Sequence, residues 1–469
     1  MKVLIVNTNR ERAPETVVPL GACAVATATE AAGHEVTFLD LTFHRDPLRA
    51  LRKSLDTARP ELVGLSLRNL DNGDYTHPRS YLPAARELVS TLRDYDVEVV
   101  LGGPAVGQNP EALLRCLGCR LAVCGEGEVA FPALLAALAN GTDPAAVQGV
   151  TLLEEGEARN SPVAPMTELA SLPPVEPERW LELSRYRAYE ASWPLQTKRG
   201  CALRCTYCVY PLLEGRQWRL QEPERVAEEA ERGRRLGFRL GEIVDSFWGL
   251  PSEHALACCE ALARGPRLPL STMELSPGAI SPELIEAMNA AGFTAVGISA
   301  ESASDQMLRA LGKDYTTEQL WQAERESQNL RAQRMWIFLL GAPGEEEATL
   351  RETGRFIAAL PQRDLVFLTW GVRLFSGTAL TEALIQSGEV EETEELLWPR
   401  FYWTPRVTLE RARQIIADCG FPLQNQVTLS EGMHRLLPLV QRLAALCRVK
   451  PPYWRHGAKL QRLRRALRL

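Results

Sequence analysis

The chain has 469 residues, 45% of them apolar and 24% charged, with a formal net charge of −6. That length predicts two or three domains around a sizeable core, no run approaches the roughly 18 to 20 apolar residues of a membrane span, and the negative balance argues against a nucleic-acid binder of the general electrostatic kind. Eleven cysteines, an odd count with no secretory signal ahead of them, exclude a disulfide framework and point to a cytoplasmic protein.

Residues 1–150 read as a first domain. Val3-Leu4-Ile5-Val6 is a short apolar run that predicts a buried strand, and an alanine-rich helix over 20–32 follows it, ending at Gly33. Further strands are expected at 35–39, 62–67, 97–101 and 121–123, with helices at 81–92, 111–117 and 129–138. Such alternation predicts an α/β fold with a doubly wound, Rossmann-like parallel sheet, whose ligand lies beyond the carboxyl ends of the strands. Glycines gather at those ends, in Leu101-Gly102-Gly103-Pro104 and Cys124-Gly125-Glu126-Gly127-Glu128. Bare backbone there admits a flat or bulky ligand, although ordinary strand-to-helix turns use glycine as well.

Residues 151–185, rich in Glu, Pro, Ser and Ala and broken by Leu172-Pro173-Pro174, read as a linker. Over 186–400 the alternation resumes, with strands expected at 195–198, 242–245, 270–274, 295–298, 335–340 and 364–370 and helices between them. Six such units predict a partial (β/α)6 TIM-like barrel with its chemistry at the C-terminal strand mouths. Residues 401–469 read as a helical C-terminal region. It opens with Phe401-Tyr402-Trp403, three aromatics that either cover a substrate or pack in the core. Its tail over 448–468 carries eight Lys or Arg beside Leu460, Leu463 and Leu467, the pattern either of a solvated helix resting its leucines on the body or of a surface for a phosphate-bearing partner or a leader peptide.

The stretch that organises the chain is Cys201-Ala-Leu-Arg-Cys205-Thr-Tyr-Cys208. Three thiolates at this spacing can hold three irons of a cubane iron-sulfur cluster and leave the fourth open. Zinc sites more often pair two CxxC units, so a zinc half-site or three buried thiols is the weaker alternative.

This CxxxCxxC resembles the signature of the radical S-adenosylmethionine enzymes. Val18-Pro19-Leu20-Gly21, Leu65-Ser66-Leu67-Arg68-Asn69, Gly102-Gly103-Pro104 and Gly125-Glu126-Gly127, in that order, resemble the cobalamin-binding domain that precedes many of their cores. The resemblance to the class B methylases of this family implies three cofactors: a [4Fe-4S] cluster on Cys201, Cys205 and Cys208, S-adenosylmethionine on its open iron, and cobalamin on the first sheet. It implies that Pro19, Gly21, Ser66, Leu67, Arg68, Asn69, Gly102, Gly103, Pro104, Gly125, Glu126 and Gly127 seat the corrin. No histidine stands two after an aspartate, so the DxHxxG axial motif is absent and Arg68 and Asn69 are the candidates for cobalt's lower face; surface turns are the other reading of that loop.

On the barrel side, Tyr207 matches the family position near the adenine, and Val296-Gly297-Ile298-Ser299-Ala300-Glu301 resembles its GxIxGxxE-type segment, with Glu301 toward S-adenosylmethionine. The family's GGE slot falls on 241–246 without its glycine pair, leaving Asp245 and Ser246 as the polar candidates. Glu274 ends the next strand, where a carboxylate could bind the ribose, approach the open iron, or simply precede a helix.

The family implies methyl transfer from S-adenosylmethionine, via methylcobalamin, to a carbon of a small-molecule or peptide substrate, or else cyclisation or ring rearrangement without net methyl transfer. It also implies an electron donor such as flavodoxin or ferredoxin. Methylthiotransferase activity on RNA fits less well, because Cys116, Cys119 and Cys124 are a poor match for a second cluster. A cobalamin carrier without catalysis is argued against by the intact cysteine motif.

Overall fold

The first strand, β1 (Lys2–Asn7), is buried on both faces, with Leu4 and Val6 in one core and Val3 and Ile5 in the other. Two-sided burial is what a central parallel strand requires. The computed structural model describes residues 1–163, 169–266, 268–393, 395–422, 426–427, 441–444, 446–447 and 449–456. After β1 come β2 (Glu35–Asp40), β3 (Leu62–Ser66), β4 (Glu98–Gly102), β5 (Leu121–Val123), β6 (Val150–Glu154) and β7 (Glu157–Asn160). Their order in the sheet is β2-β1-β3-β4-β5-β6-β7, with β2 to β5 parallel and the last two antiparallel. The chain changes direction across the sheet between β1 and β3, so the loops after these strands flank a cleft. The antiparallel pair carries the sheet past residue 150 into the span expected as linker.

The second sheet begins with β8 (Trp193–Leu195), and a short hairpin of β9 (Lys198–Arg199) and β10 (Arg219–Leu220) brackets the cysteine loop. Then follow β11 (Gly241–Ile243), β12 (Leu270–Leu275), β13 (Phe293–Glu301), β14 (Gln333–Leu340) and β15 (Leu365–Trp370). A further hairpin of β16 (Val372–Arg373) and β17 (Phe401–Tyr402) precedes β18 (Gln426–Val427). The order is β18-β15-β14-β13-β12-β11-β8, parallel throughout: an open barrel of six strands with β18 added at one edge. Of the strand expected over 195–198 only Leu195 falls in β8, which begins earlier at Trp193, because Thr197 and Lys198 turn aside to bind Asp245.

The domains meet along a charged and aromatic seam. Asp71 and Arg373 form a buried ion pair at 2.8 Å, and Tyr75 stacks on Trp403 with centroids 5.7 Å apart and 11° between planes. Gly371 makes this approach possible, since a Cβ there would lie 2.8 Å from the Tyr75 ring. Phe401 and Trp403 of the aromatic triplet thus belong to the interdomain joint, while Tyr402 packs against a cluster of barrel residues. Within the C-terminal region the helix Leu409–Asp418 lies on the barrel, while most of the basic tail over 448–468 lies outside the described residues.

Candidate functional site

The three cysteines of the loop are free thiols, with Cys201 buried and Cys205 and Cys208 half-buried. Backbone contacts fix the loop at both ends. Gly200 has φ +84, and a Cβ there would lie 2.0 Å from the Gln217 carbonyl oxygen, so only glycine fits beside the hairpin. The Cys201 amide donates to Gly215 O at 3.0 Å, and the Thr206 amide to Leu311 O at 3.0 Å. Gly312, at φ +69, closes against the loop from the far side, where a Cβ would meet Arg204 O at 2.4 Å. Burial raises the pKa of all three thiols, that of Cys208 to about 12, and the neighbouring sulfurs add to this for Cys201 and Cys208. Thiols so placed ionise only against a cation, which is what metal ligation supplies. Among the described residues no group of three or more His, Cys, Asp or Glu is placed to hold a single metal ion.

Glu301 ends β13 in a left-handed conformation, φ +55, which costs a non-glycine residue of order 1–3 kcal/mol. The neighbours that hold it there are all around the cysteine loop. Tyr207 Oη donates to Glu301 Oε1 at 2.8 Å and Lys313 Nζ donates to the same oxygen at 3.0 Å. The Lys313 ammonium also lies 5.4 Å over the Tyr207 ring and within hydrogen-bonding reach of the Cys205 sulfur. Burial works to lower the Lys313 pKa, but Glu301 and Tyr207 outweigh it and hold the ammonium charged. Lys313 was missed from the sequence, where it is a lone lysine after Gly312 and its partner Glu301 stands 12 residues earlier.

Glu274 stands near the end of β12, exposed rather than packed in the core, and accepts from Ser299 Oγ at 2.8 Å. Desolvation by the surrounding walls outweighs that bond and raises its pKa to about 7. Ser246 Oγ reaches Gly200 O at 3.4 Å and the Cys201 thiol, close to the cluster loop. Asp245 is a correction: its side chain is fully buried, bonded to Lys198 Nζ at 3.0 Å and to the Thr197 amide at 2.7 Å, so neither oxygen is offered to a cofactor. It anchors the chain that leads into the loop.

Between the domains lies a cavity of about 460 Å³ whose wall takes in Gly21, Ser66, Arg68, Asn69, Gly102, Gly103, Pro104, Gly125, Glu126 and Gly127 from the first domain. Gln196, Arg199, Tyr210, Glu214, Arg219 and Val244 face them from the barrel. The first-domain wall places glycines at the strand ends among apolar side chains such as Ile5, Val123 and Phe131. Gly103, at φ +95, packs so closely that a Cβ would lie 2.5 Å from Leu67 O, whereas a Cβ on Gly21 would meet nothing within 4 Å and would project into open space. Glycine loops, one wide cleft and no histidine in its wall among the described residues fit a tetrapyrrole held without an axial histidine.

Two expected residues fall elsewhere. Leu67 is 6% exposed and belongs to the hydrophobic core, and Pro19 precedes the helix Leu20–Ala31 without reaching the wall. Glu126 is in the wall, but its carboxylate is engaged by Arg199 and Arg219. The sequence reading also missed a pair of carboxylates, Glu15 from the first domain and Glu242 from β11. Burial raises them to about 7 and about 8, and Glu15 adds to the shift of Glu242 while Arg68 opposes it. Two acids from different domains that repel one another near neutral pH are invisible to a local motif search.

A model of the B12 binding domain matches residues 7–135, and a model of the Radical SAM superfamily matches residues 195–357. An uncharacterized methyltransferase of Pyrococcus horikoshii is 27% identical over 369 residues, covering 77% of this chain and 78% of its own. Tryptophan 2-C-methyltransferase of Streptomyces laurentii is 27% identical over 418 residues, covering 75% and 69%. The solved structure of TsrM from Kitasatospora setae, a radical S-adenosylmethionine methyltransferase with tryptophan and a SAM analog bound, matches with a TM-score of 0.86 at 23% identity over 99% of both chains. At that identity the likeness carries the fold.

Proposed function

We infer that this chain, which belongs to the radical SAM superfamily and carries a B12 binding domain, is a methyltransferase. It acts with S-adenosylmethionine, cobalamin and a [4Fe-4S] cluster on a carbon of a small-molecule or peptide substrate. The observation that carries this is the meeting of two sites at one seam: the cysteine loop leaves a hairpin whose Arg199 and Arg219 line the same cavity as Gly102, Gly103, Gly125 and Gly127. When bound, the cluster supplies an electron and an iron open to S-adenosylmethionine, and the corrin supplies a carrier for a methyl group.

The chain's own residues would act as follows. Cys201, Cys205 and Cys208 would hold the cluster. Lys313 balances the charge that Cys205 and Glu301 bring together, and Tyr207 orients the Glu301 carboxylate toward the loop. Glu274 and Ser299 present a carboxylate and a hydroxyl at adjacent strand ends, positioned to bind S-adenosylmethionine or to approach the cluster. The glycine turns would seat the corrin, and Arg68 and Asn69 project into its cavity. An arginine cannot donate a lone pair to a metal, so Arg68 would line the corrin site without ligating it. Closing the cavity between two domains keeps water from reactive groups.

Among the described residues no helix is long and apolar enough to cross a membrane. An electron donor of the flavodoxin or ferredoxin class would dock from outside. The test is anaerobic reconstitution, with iron, sulfide and corrin measured per chain and products assayed for S-adenosylhomocysteine and 5'-deoxyadenosine. A product heavier by one methylene supports methyl transfer; loss of hydrogens with no added carbon supports cyclisation instead.

A further inference from the structure

The turn after β5 that lines the corrin cavity carries Glu126, the helix Gly127–Ala139 that follows carries Glu128 in its first turn, and the hairpin under the cysteine loop carries two arginines opposite one another, Arg199 and Arg219. Arg199 Nη1 lies 3.3 Å from Glu126 Oε1 and 2.6 Å from Glu128 Oε1, the second a contact of charge rather than an aligned hydrogen bond. Arg219 pairs with Glu126 from the other strand. All four side chains are 7–17% exposed. From these arginines the path to the first cysteine is short and hydrogen-bonded. Arg219 Nη2 donates to Glu214 O at 2.6 Å, the Gly200 amide donates to Glu214 Oε2 at 3.1 Å, and Gly200 precedes Cys201.

Buried ion pairs are a poor way to add stability, since apolar residues of the same volume commonly hold two surfaces together as well. What a fork of fixed donors adds is a single geometry, because a guanidinium meets carboxylates in few orientations. Here that geometry relates a wall of the cavity to the residue before the first cysteine.

We propose that Arg199 and Arg219 are positioning residues that, through Glu126 and Glu128, set the cysteine loop in register with the corrin cavity, so that filling the cavity alters the surroundings of Cys201. The proposal rests on the reading of these two sites as cluster and corrin sites. It differs from a general domain contact, such as the Asp71–Arg373 pair, in that it ends at a ligand.

The experiment compares the wild type with Arg199→Met, Glu128→Gln and Arg199→Lys after anaerobic reconstitution. It measures iron and sulfide per chain, hydroxocobalamin affinity by visible absorption, and the reduced cluster's electron paramagnetic resonance with and without corrin. Amide exchange over 199–208 is followed in the same samples. In the wild type, corrin is expected to change the cluster's line shape and to slow exchange in that segment. Arg199→Met and Glu128→Gln should load the same iron and bind corrin about ten-fold more weakly, with the corrin effect on the cluster lost. Arg199→Lys, which keeps the charge without the fork, should recover part of the effect. A wild type whose cluster does not respond to corrin, or variants that respond like the wild type, would overturn the proposal. Should Arg199→Met fail to load iron, Glu128→Gln decides alone. Failure of the underlying reading is a different result: wild-type protein that takes up no iron or no corrin at all.

Discussion

On the first-domain side of the cleft the wall sets glycines at strand ends, Gly102, Gly103, Gly125 and Gly127, among side chains such as Ile5, Phe131, Arg68 and Asn69, while in the barrel a ring of ionisable groups surrounds the cysteine loop. The two surfaces solve different problems. A large neutral macrocycle is seated by shape, and shape is made by leaving Cβ atoms out. A charged cluster and a sulfonium cofactor need opposing charges at fixed points, and Glu301, Lys313 and Glu274, with Tyr207 as a neutral donor to Glu301, would supply them. The difference predicts that substitutions on one side will act through space and those on the other through charge.

The largest effect expected is on the barrel side. Cys205→Ala should bring cluster uptake and turnover to background while hydroxocobalamin still binds, as read by iron content and visible absorption; loss of both together would mean that the two surfaces are not separable. Next is the buried Lys198–Asp245 pair, whose side chains are 1% and 0% exposed. Lys198→Met leaves a buried carboxylate without its cation and should cost about 3–5 kcal/mol in denaturant unfolding. In whatever protein folds, the cluster's spectrum should shift as well, because the pair anchors the chain leading into the cysteine loop and the Lys198 charge acts on Cys201.

Smaller, and on the backbone side, Gly103→Ala forces a Cβ to 2.5 Å from Leu67 O at φ +95. It should weaken corrin binding and cost about 1–3 kcal/mol of stability, with iron content unaltered. Lys313→Met removes a positive charge within reach of the Cys205 sulfur. Since charge and hydrogen bonds to sulfur tune cluster potentials, the midpoint potential should move negative, as read in a redox titration.

The smallest effect is on pH dependence. Glu15 and Glu242 are raised from the ordinary carboxylate range to about 7 and about 8. Raised folded-state values mean that the folded protein binds protons more tightly than the unfolded chain, so stability is full below the ordinary carboxylate pKa and falls as pH rises through 7 and 8. Thermal unfolding of the cofactor-free protein should therefore drop over that window, and Glu242→Gln should flatten the drop. An unchanged slope would show that the two acids do not face each other.

The same contrast explains what could be seen in the amino acids alone. Buried parallel strands such as Val3 to Val6 announce themselves because both faces are apolar, and the cysteine spacing is compact enough to carry its chemistry locally. The helix Pro47–Ala58 was overlooked although Asp46 and Pro47 form a clear start, because it buries little beyond Leu51 and Leu55. The antiparallel β6 and β7 were read as linker, since their outward residues are Glu, Arg and Asn. Asp245 looked like a cofactor ligand because its partner Lys198 stands 47 residues away and only folding brings them together. Lys313 and the Glu15–Glu242 pair were missed for the same reason: their meaning lies in neighbours from other strands.

The central claim is that the cysteine loop and the corrin cavity form one interdomain site. It is tested most directly by reducing the reconstituted protein so that the cluster and a cobalt(II) corrin are both paramagnetic, and measuring the relaxation of each signal in the presence and absence of the other. The account predicts that each signal broadens and relaxes faster when its partner is present. Two signals that superimpose on those of the singly loaded protein would contradict it.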